Sequence, residues 1–197
     1  TGLYLIDVFY GSGVPSGGTA LAGILGLAVP DEEKEPSLES DNFTYITEGG
    51  ETYLVLKNGR DPRFKAPING VHKNIPTESI LETETNVKNI VRIIKRILRQ
   101  GEDRSPLYIE GEAGAGKNLL VYYAAKLLRK RVGFMALHED IHEDDLVERR
   151  GVGEKEKGKT DWIPSPIVEA MLNGHWVLLD EVNKAKPQVL ARLNQII

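Results

Sequence analysis

Apolar residues recur along the second half of this chain with periods that switch between helix and strand. From Thr85 onward, Val87, Ile90, Val91, Ile94, Ile97 and Leu98 fall on one stripe, while Lys88, Arg92, Lys95, Arg96 and Arg99 lie away from it. That pattern predicts an amphipathic helix with a solvated basic face, ended by Gly101. Residues 107–110 read as an apolar strand and residues 119–128 as a second helix. At the end of that helix Lys126, Arg129, Lys130 and Arg131 stand where cations suit the dipole. Residues 132–137 read as the next strand, Ser165-Pro166 opens a short helix to Leu172 closed by Asn173-Gly174, and residues 175–181 form another strand. A last helical stripe carries Val189, Leu190, Leu193, Ile196 and Ile197 with no stop signal. Helix, strand, loop, helix, strand, helix, strand, helix is the order of an α/β three-layer sandwich with a parallel sheet.

The first part of the chain reads differently. Residues 3–10 are β-prone and lead through a glycine-rich stretch, residues 11–19, to an apolar run at 20–29. This imitates a phosphate loop but has no lysine, so a turn is the better reading. Residues 30–42 are acidic, with Pro30 and Pro36, as in an exposed linker. Residues 43–46 and 52–57 flank Glu48-Gly49-Gly50-Glu51, a hairpin signal, and Asn58-Gly59 and Asp61-Pro62 close the unit. Residues 1–75 are therefore expected to form a small β-rich region with an acidic linker, of undisclosed function, ahead of an α/β core over residues 76–197.

Composition narrows the classes. With 197 residues, 41% hydrophobic and 27% charged, the chain can bury a full core. It has no bilayer-length apolar run and no basic leader, and it lacks cysteine, which fits a reducing compartment; a soluble cytoplasmic protein is expected. The net charge of -4 argues against a dominant nucleic-acid surface. Because the chain begins at Thr1 and stops within an apolar-periodic segment, it is expected to be a piece of a longer polypeptide.

The sharpest chemical signal is Gly111-Glu112-Ala113-Gly114-Ala115-Gly116-Lys117-Asn118, followed by Leu119. It fits G-x-x-x-x-G-K-[ST] at every position except the last, and it is entered from a strand and left into a helix. Without Cβ atoms at its glycines, such a loop curls until backbone N–H groups converge at a helix start, where the dipole also favours an anion. Lys117 then reaches the β- and γ-phosphates of a nucleotide such as ATP. About sixty residues on, an apolar strand ends in Asp180-Glu181. Asp180 is expected to hold magnesium through water, and Glu181 to orient or deprotonate the attacking water. Asn118 stands where a hydroxyl normally meets the metal. Its amide oxygen is a poorer fit for the ~2.0–2.1 Å octahedral shell of Mg2+, so binding can survive while hydrolysis slows.

His138-Glu139-Asp140-Ile141-His142 satisfies H-E-x-x-H, yet it follows a strand directly and runs into Glu143-Asp144-Asp145. A surface loop entering a helix at about Asp144 explains it better than a zinc helix.

At these residues the chain resembles the AAA+ ATPases, in the MoxR branch of midasin-like and von Willebrand A domain-bearing ATPases. The likeness covers about Thr83 to Ile197. It rests on residues 85–89, the 111–118 loop, residues 143–150, residues 161–170 and Leu179-Asp180-Glu181-Val182-Asn183-Lys184-Ala185. The resemblance implies a P-loop AAA+ large subdomain whose sensor strand, trans-acting arginine and helical lid lie beyond Ile197, with residues 147–162 as an inserted β-hairpin. It further implies ATP-driven remodelling of a protein or ribonucleoprotein client, in a hexameric ring or six-module chain, with a von Willebrand A domain as a partner. The competing expectation is a degenerate structural module that binds ATP or ADP without cycling, favoured by Asn118 as Glu181 favours the ATPase.

Overall fold

The computed structural model describes residues 2–7, 40–57, 61–68, 72–98, 106–152 and 160–196. The glycine-rich stretch at 11–19, the apolar run at 20–29, most of the acidic linker, Asn58-Gly59 and Gly101 lie outside the described residues.

The polar-to-apolar rhythm becomes structure nearly where expected. Strands β2 (Phe43–Glu48) and β3 (Glu51–Leu56) pair antiparallel across Gly49 and Gly50, whose φ of 61° and 85° supply the left-handed backbone a tight hairpin needs. Strand β4 (Lys65–Pro67) adds to β3. Helix α1 (Glu84–Leu98) starts beside Thr83, whose Oγ1 accepts from the Asn86 N–H at 3.2 Å. Its buried stripe is Val87, Ile90, Val91, Ile93, Ile94 and Ile97. Leu98, expected inside, is 40% exposed, and Ile93 is buried instead. The stripe is wide because α1 has neighbours on two sides: the small β2-β3-β4 sheet and the helix that follows.

Strand β5 (Leu107–Glu110) precedes α2 (Lys117–Leu127) and β6 (Val132–Ala136). The acidic run after β6 forms a single 3-10 turn, Asp144–Leu146, in place of the expected longer helix, because the chain turns at once into β7 (Glu148–Val152). Strand β7 pairs antiparallel with β8 (Thr160–Pro164), the hairpin the resemblance implied. Helix α3 (Pro166–Asn173) is capped as its sequence requires: Ser165 Oγ accepts from Val168 N–H at 3.2 Å, and Gly174 ends it at φ 66°. The same hydroxyl donates to the Leu146 carbonyl at 2.6 Å, tying the 3-10 turn to α3. Strand β9 (Trp176–Asp180) and helix α4 (Pro187–Ile196) complete the described chain.

The main sheet has the order β5-β1-β9-β6, where β1 is Gly2–Asp7. Strands β6 and β9 are parallel, as expected; β1 runs antiparallel to both β5 and β9, which makes those two parallel to each other. The N-terminal segment thus supplies a strand inside the core sheet. Alternation along β9 puts Trp176 and Leu178 on one face and Val177 and Leu179 on the other, and all four are buried. The first pair joins the cluster made with α1 and α2, the second the cluster made with α3 and α4. Helices therefore cover both faces, and the β2-β3-β4 sheet lies against the α1 side. Among the described residues, no helix is long and apolar enough to cross a membrane.

Two polar networks bind these layers. Glu82 accepts from Ser40 Oγ at 2.6 Å, from Asn42 N–H and Nδ2–H at 2.8 Å each, and from the Tyr123 hydroxyl of α2. Burial pushes the Glu82 carboxyl up, but the donors from Ser40, Tyr123 and Asn42 outweigh it and leave it below the ordinary glutamate value. Below the sheet, His72 and His175 stack edge to face at 5.0 Å. Burial first, then the charges of Lys130, His175 and Arg131, push His72 down to about 4.

Both shifts make the unfolded chain take up protons before the folded one, so stability falls as pH falls. For His72 the loss runs from the ordinary value near 6.5 down to about 4. The Glu82 contribution is full above the ordinary glutamate value and is lost as pH falls through its lowered one. Melting curves should separate the two. His72→Gln should flatten the fall between pH 6.5 and 4 by several °C, since the shift is worth up to about 3 kcal/mol, less where solvent screens it, at about 2–4 °C per kcal/mol in a chain of this size. Glu82→Gln should flatten only the more acidic limb.

Candidate functional site

The glycine-rich loop spans the gap between β5 and α2, and the structure places Gly111, Glu112, Ala113, Gly114, Ala115 and Gly116 in it. Gly114 and Gly116 have φ of 77° and 72°, a backbone hand that side chains disfavour, although a Cβ would meet nothing there. The glycines serve the curl of the chain and do not make room. Gly116 ends the loop as a left-handed N-cap of α2, without side-chain capping and without an acidic residue in the first turn. The first intrahelical bond of α2 runs from Leu120 N–H to the Gly116 carbonyl at 3.0 Å. The N–H groups of Asn118 and Leu119 therefore precede the helical ladder and point out of its positive end.

Lys117 closes the loop from inside. Its Nζ donates to the carbonyls of Gly111 at 2.9 Å and Glu112 at 2.6 Å, and its stem lies 3.5 Å from where a Gly111 Cβ would sit. The ammonium is thereby held over the loop's mouth by neutral acceptors, which an incoming phosphate can outcompete.

Asp180 ends β9 on the same face as Leu178, the α1 and α2 side, and this phase carries its carboxylate to the start of α2. Asp180 Oδ2 accepts from Asn118 Nδ2–H at 3.1 Å, joining two motifs 62 positions apart. Its Oδ1 accepts from the Glu181 N–H at 2.7 Å. An ionised carboxylate only accepts, so the amide nitrogen of Asn118 is the end that faces it. Glu181 leaves the strand at φ 54° and ψ 33°, caps the 3-10 turn Val182–Lys184, and pairs with Lys184 Nζ at 2.6 Å. The oxygen donors of Asp180 suit a hard cation such as Mg2+. Asn118 contributes one more oxygen, but in the observed rotamer that oxygen points away from Asp180.

Two neighbours of this site carried no role in the sequence reading. Lys184 lies three residues after Glu181, a spacing that puts opposite charges together on one turn. Tyr122 lies one helical turn beyond Asn118; burial, then the charges of Glu78 and Asp180, raise its hydroxyl above the ordinary value. That i, i+4 spacing was the available signal. The H-E-x-x-H residues lie elsewhere, in a turn after β6. There His138 Nδ1 accepts from Asp140 N–H at 3.3 Å, and His142 N–H donates to Asp145 Oδ2 at 2.9 Å. The motif is thus not presented on a helix, and among the described residues no three His, Cys, Asp or Glu side chains gather around a metal position.

The strained Glu181 makes a measurable prediction. Left-handed backbone costs a side chain about 1–2 kcal/mol that glycine avoids, so the usual ranking of alanine over glycine should reverse here. Glu181→Gly should be more stable than Glu181→Ala by about 1 kcal/mol in urea denaturation. Equal stability, or alanine ahead, would show that the position is unstrained.

Comparisons with known proteins converge on the same region. Residues 106–197 match the AAA domain (dynein-related subfamily). The chain is 32% identical over 126 residues to Midasin of Dictyostelium discoideum, covering 62% of this chain and 2% of that protein. It is 30% identical over 118 residues to Midasin of Giardia intestinalis, covering 59% of this chain and 2% of that protein. Over 179 residues, 91% of this chain, it is 25% identical to von Willebrand factor A domain-containing protein 8 of Mus musculus, 9% of which is covered. The chain thus spans a small part of the curated relatives it matches. No solved structure matches it.

Proposed function

Because residues 106–197 match the AAA domain (dynein-related subfamily), we propose that this chain has the P-loop α/β fold of that family and binds and hydrolyses ATP as one module of a ring-forming remodelling machine. The observation that carries the reading is the Asn118–Asp180 contact, because in it the glycine-lysine loop meets the carboxylate strand. In this reading the backbone from Gly111 to Leu119 cradles the phosphates, and Lys117 exchanges its contacts with the loop carbonyls for phosphate oxygens. Asp180 would hold magnesium through water, and Asn118 would join it only with its amide turned to present Oδ1; when bound, the ion neutralises charge on the transferring phosphoryl group. Glu181 orients the attacking water and takes its proton, which requires it to exchange Lys184 for that water.

The wider proposal is a set of neighbouring AAA+ modules in a hexameric arrangement acting on a protein client, as the family resemblance implies; the likeness to a von Willebrand factor A domain-containing protein supports such a domain as partner. The second reading, a nucleotide-stabilised structural module without efficient turnover, is favoured by one observation: the side chain after Lys117 is an amide whose nitrogen faces Asp180.

Calorimetry and phosphate release separate these readings. Lys117→Ala should weaken ATP binding by at least about tenfold, since it removes the loop's own full positive charge. Unchanged affinity would reject the site. Glu181→Gln should keep the nucleotide and cut turnover of the full-length protein by about 10²-fold or more, the usual scale for losing a positioned base. Turnover that is absent in both forms would select the structural module.

A further inference from the structure

We propose that Asn118 is a hydrogen-bond clamp on Asp180, and that this clamp lets the site take up nucleotide without a divalent cation and gain little when the cation follows. The inference rests on the nucleotide-site reading above and concerns the order and coupling of its ligands. In the structure both oxygens of the Asp180 carboxylate are already engaged by donors of the chain, Oδ2 by Asn118 Nδ2–H at 3.1 Å and Oδ1 by Glu181 N–H at 2.7 Å. Each oxygen keeps a second lone pair, so a cation, or the water that carries it, must approach Asp180 beside these bonds and compete with them for the same negative charge.

The chemistry of the amide makes that competition sharper than it would be for a hydroxyl. A serine or threonine oxygen donates its proton to a carboxylate and offers a lone pair to a cation from the same atom. In asparagine the two capacities sit on different atoms of one rigid plane. With Nδ2 on Asp180, Oδ1 points elsewhere; with Oδ1 turned to share a cation with Asp180, the hydrogen bond is lost and two acceptors face each other until the ion arrives. Asn118 can clamp Asp180 or ligate beside it, but not both. The backbone cradle and Lys117 are independent of this choice, since their N–H groups and ammonium meet the phosphates directly. The clamp also holds Asp180 in place when no cation is present, so the carboxylate does not turn its unscreened charge toward the incoming phosphates.

The test is the magnesium dependence of ADP binding, measured by calorimetry on the full chain in EDTA and in millimolar MgCl2. The unaltered chain is expected to bind ADP in EDTA and to change affinity by less than about threefold with magnesium. Asn118→Thr, which restores an atom able to donate and ligate at once, should show magnesium tightening ADP by about tenfold or more, the scale of one charge-assisted bond. Asn118→Ser serves the same purpose if the threonine form does not fold. A second readout needs no nucleotide: the Asn118 side-chain amide resonance of cation-free protein should move on Asp180→Ala, and millimolar magnesium alone should leave it in place. ADP bound equally well by all forms in EDTA, with the unaltered chain as magnesium-dependent as Asn118→Thr, would overturn the clamp while leaving the nucleotide site intact. Failure of every form to bind ADP in either buffer would instead remove the nucleotide site, and the clamp's role with it.

Discussion

Burial of β9 on both faces is the constraint on which the rest of this structure depends. Trp176 to Leu179 are four consecutive buried apolar residues, two facing α1 and α2 and two facing α3 and α4. A strand with two apolar faces cannot slip by one position as freely as an unpaired strand, because each step exchanges residues fitted to different helices. Its phase decides where Asp180 emerges. Being on the face of Leu178, Asp180 arrives at the first turn of α2, where the left-handed Gly116 has just released the helix's N–H groups. Core packing thus fixes the site geometry, and the polar contact between Asp180 and Asn118 follows from it.

Lys117, Asp180 and Glu181 are each held by another part of the chain. Lys117 rests on carbonyls of its own loop, Asp180 on Asn118 and the Glu181 amide, and Glu181 on Lys184. In the proposed nucleotide reading, phosphate, cation and water would take over these bonds in turn. The Lys184 pair with Glu181 is partly solvent-exposed and contributes little to stability, so its exchange costs little. The Asp180 bonds are part-buried, which is why the proposed coupling to a cation turns on them.

Much of this was legible in the residues. The glycine-lysine loop, the strand ending in Asp180-Glu181 and the Ser165-Pro166 helix start are local patterns whose physics is complete within a few positions, and the structure follows them. Where sequence reading stopped, the missing information was nonlocal. The β-prone residues after Gly2 announced a strand but not its neighbours, and nothing in them says that β1 lies antiparallel between β5 and β9. Leu98 and Ile93 exchanged places because α1 packs against two layers, and a single helical stripe assumes one. Asn118 by its identity raises the question of magnesium. Which end of its amide faces the site, however, is set by a carboxylate 62 positions away.

The central claim is that residues 111–119 and 180–181 form one phosphate-binding crevice fixed by the phase of β9. Amide hydrogen exchange of the full chain, with and without saturating ADP, tests it most directly. The account predicts that ADP slows exchange in both segments together, strongest at the start of α2, while the β2-β3-β4 sheet is unaffected. Protection confined to some other part of the chain, with residues 111–119 and 180–181 unchanged, would contradict it.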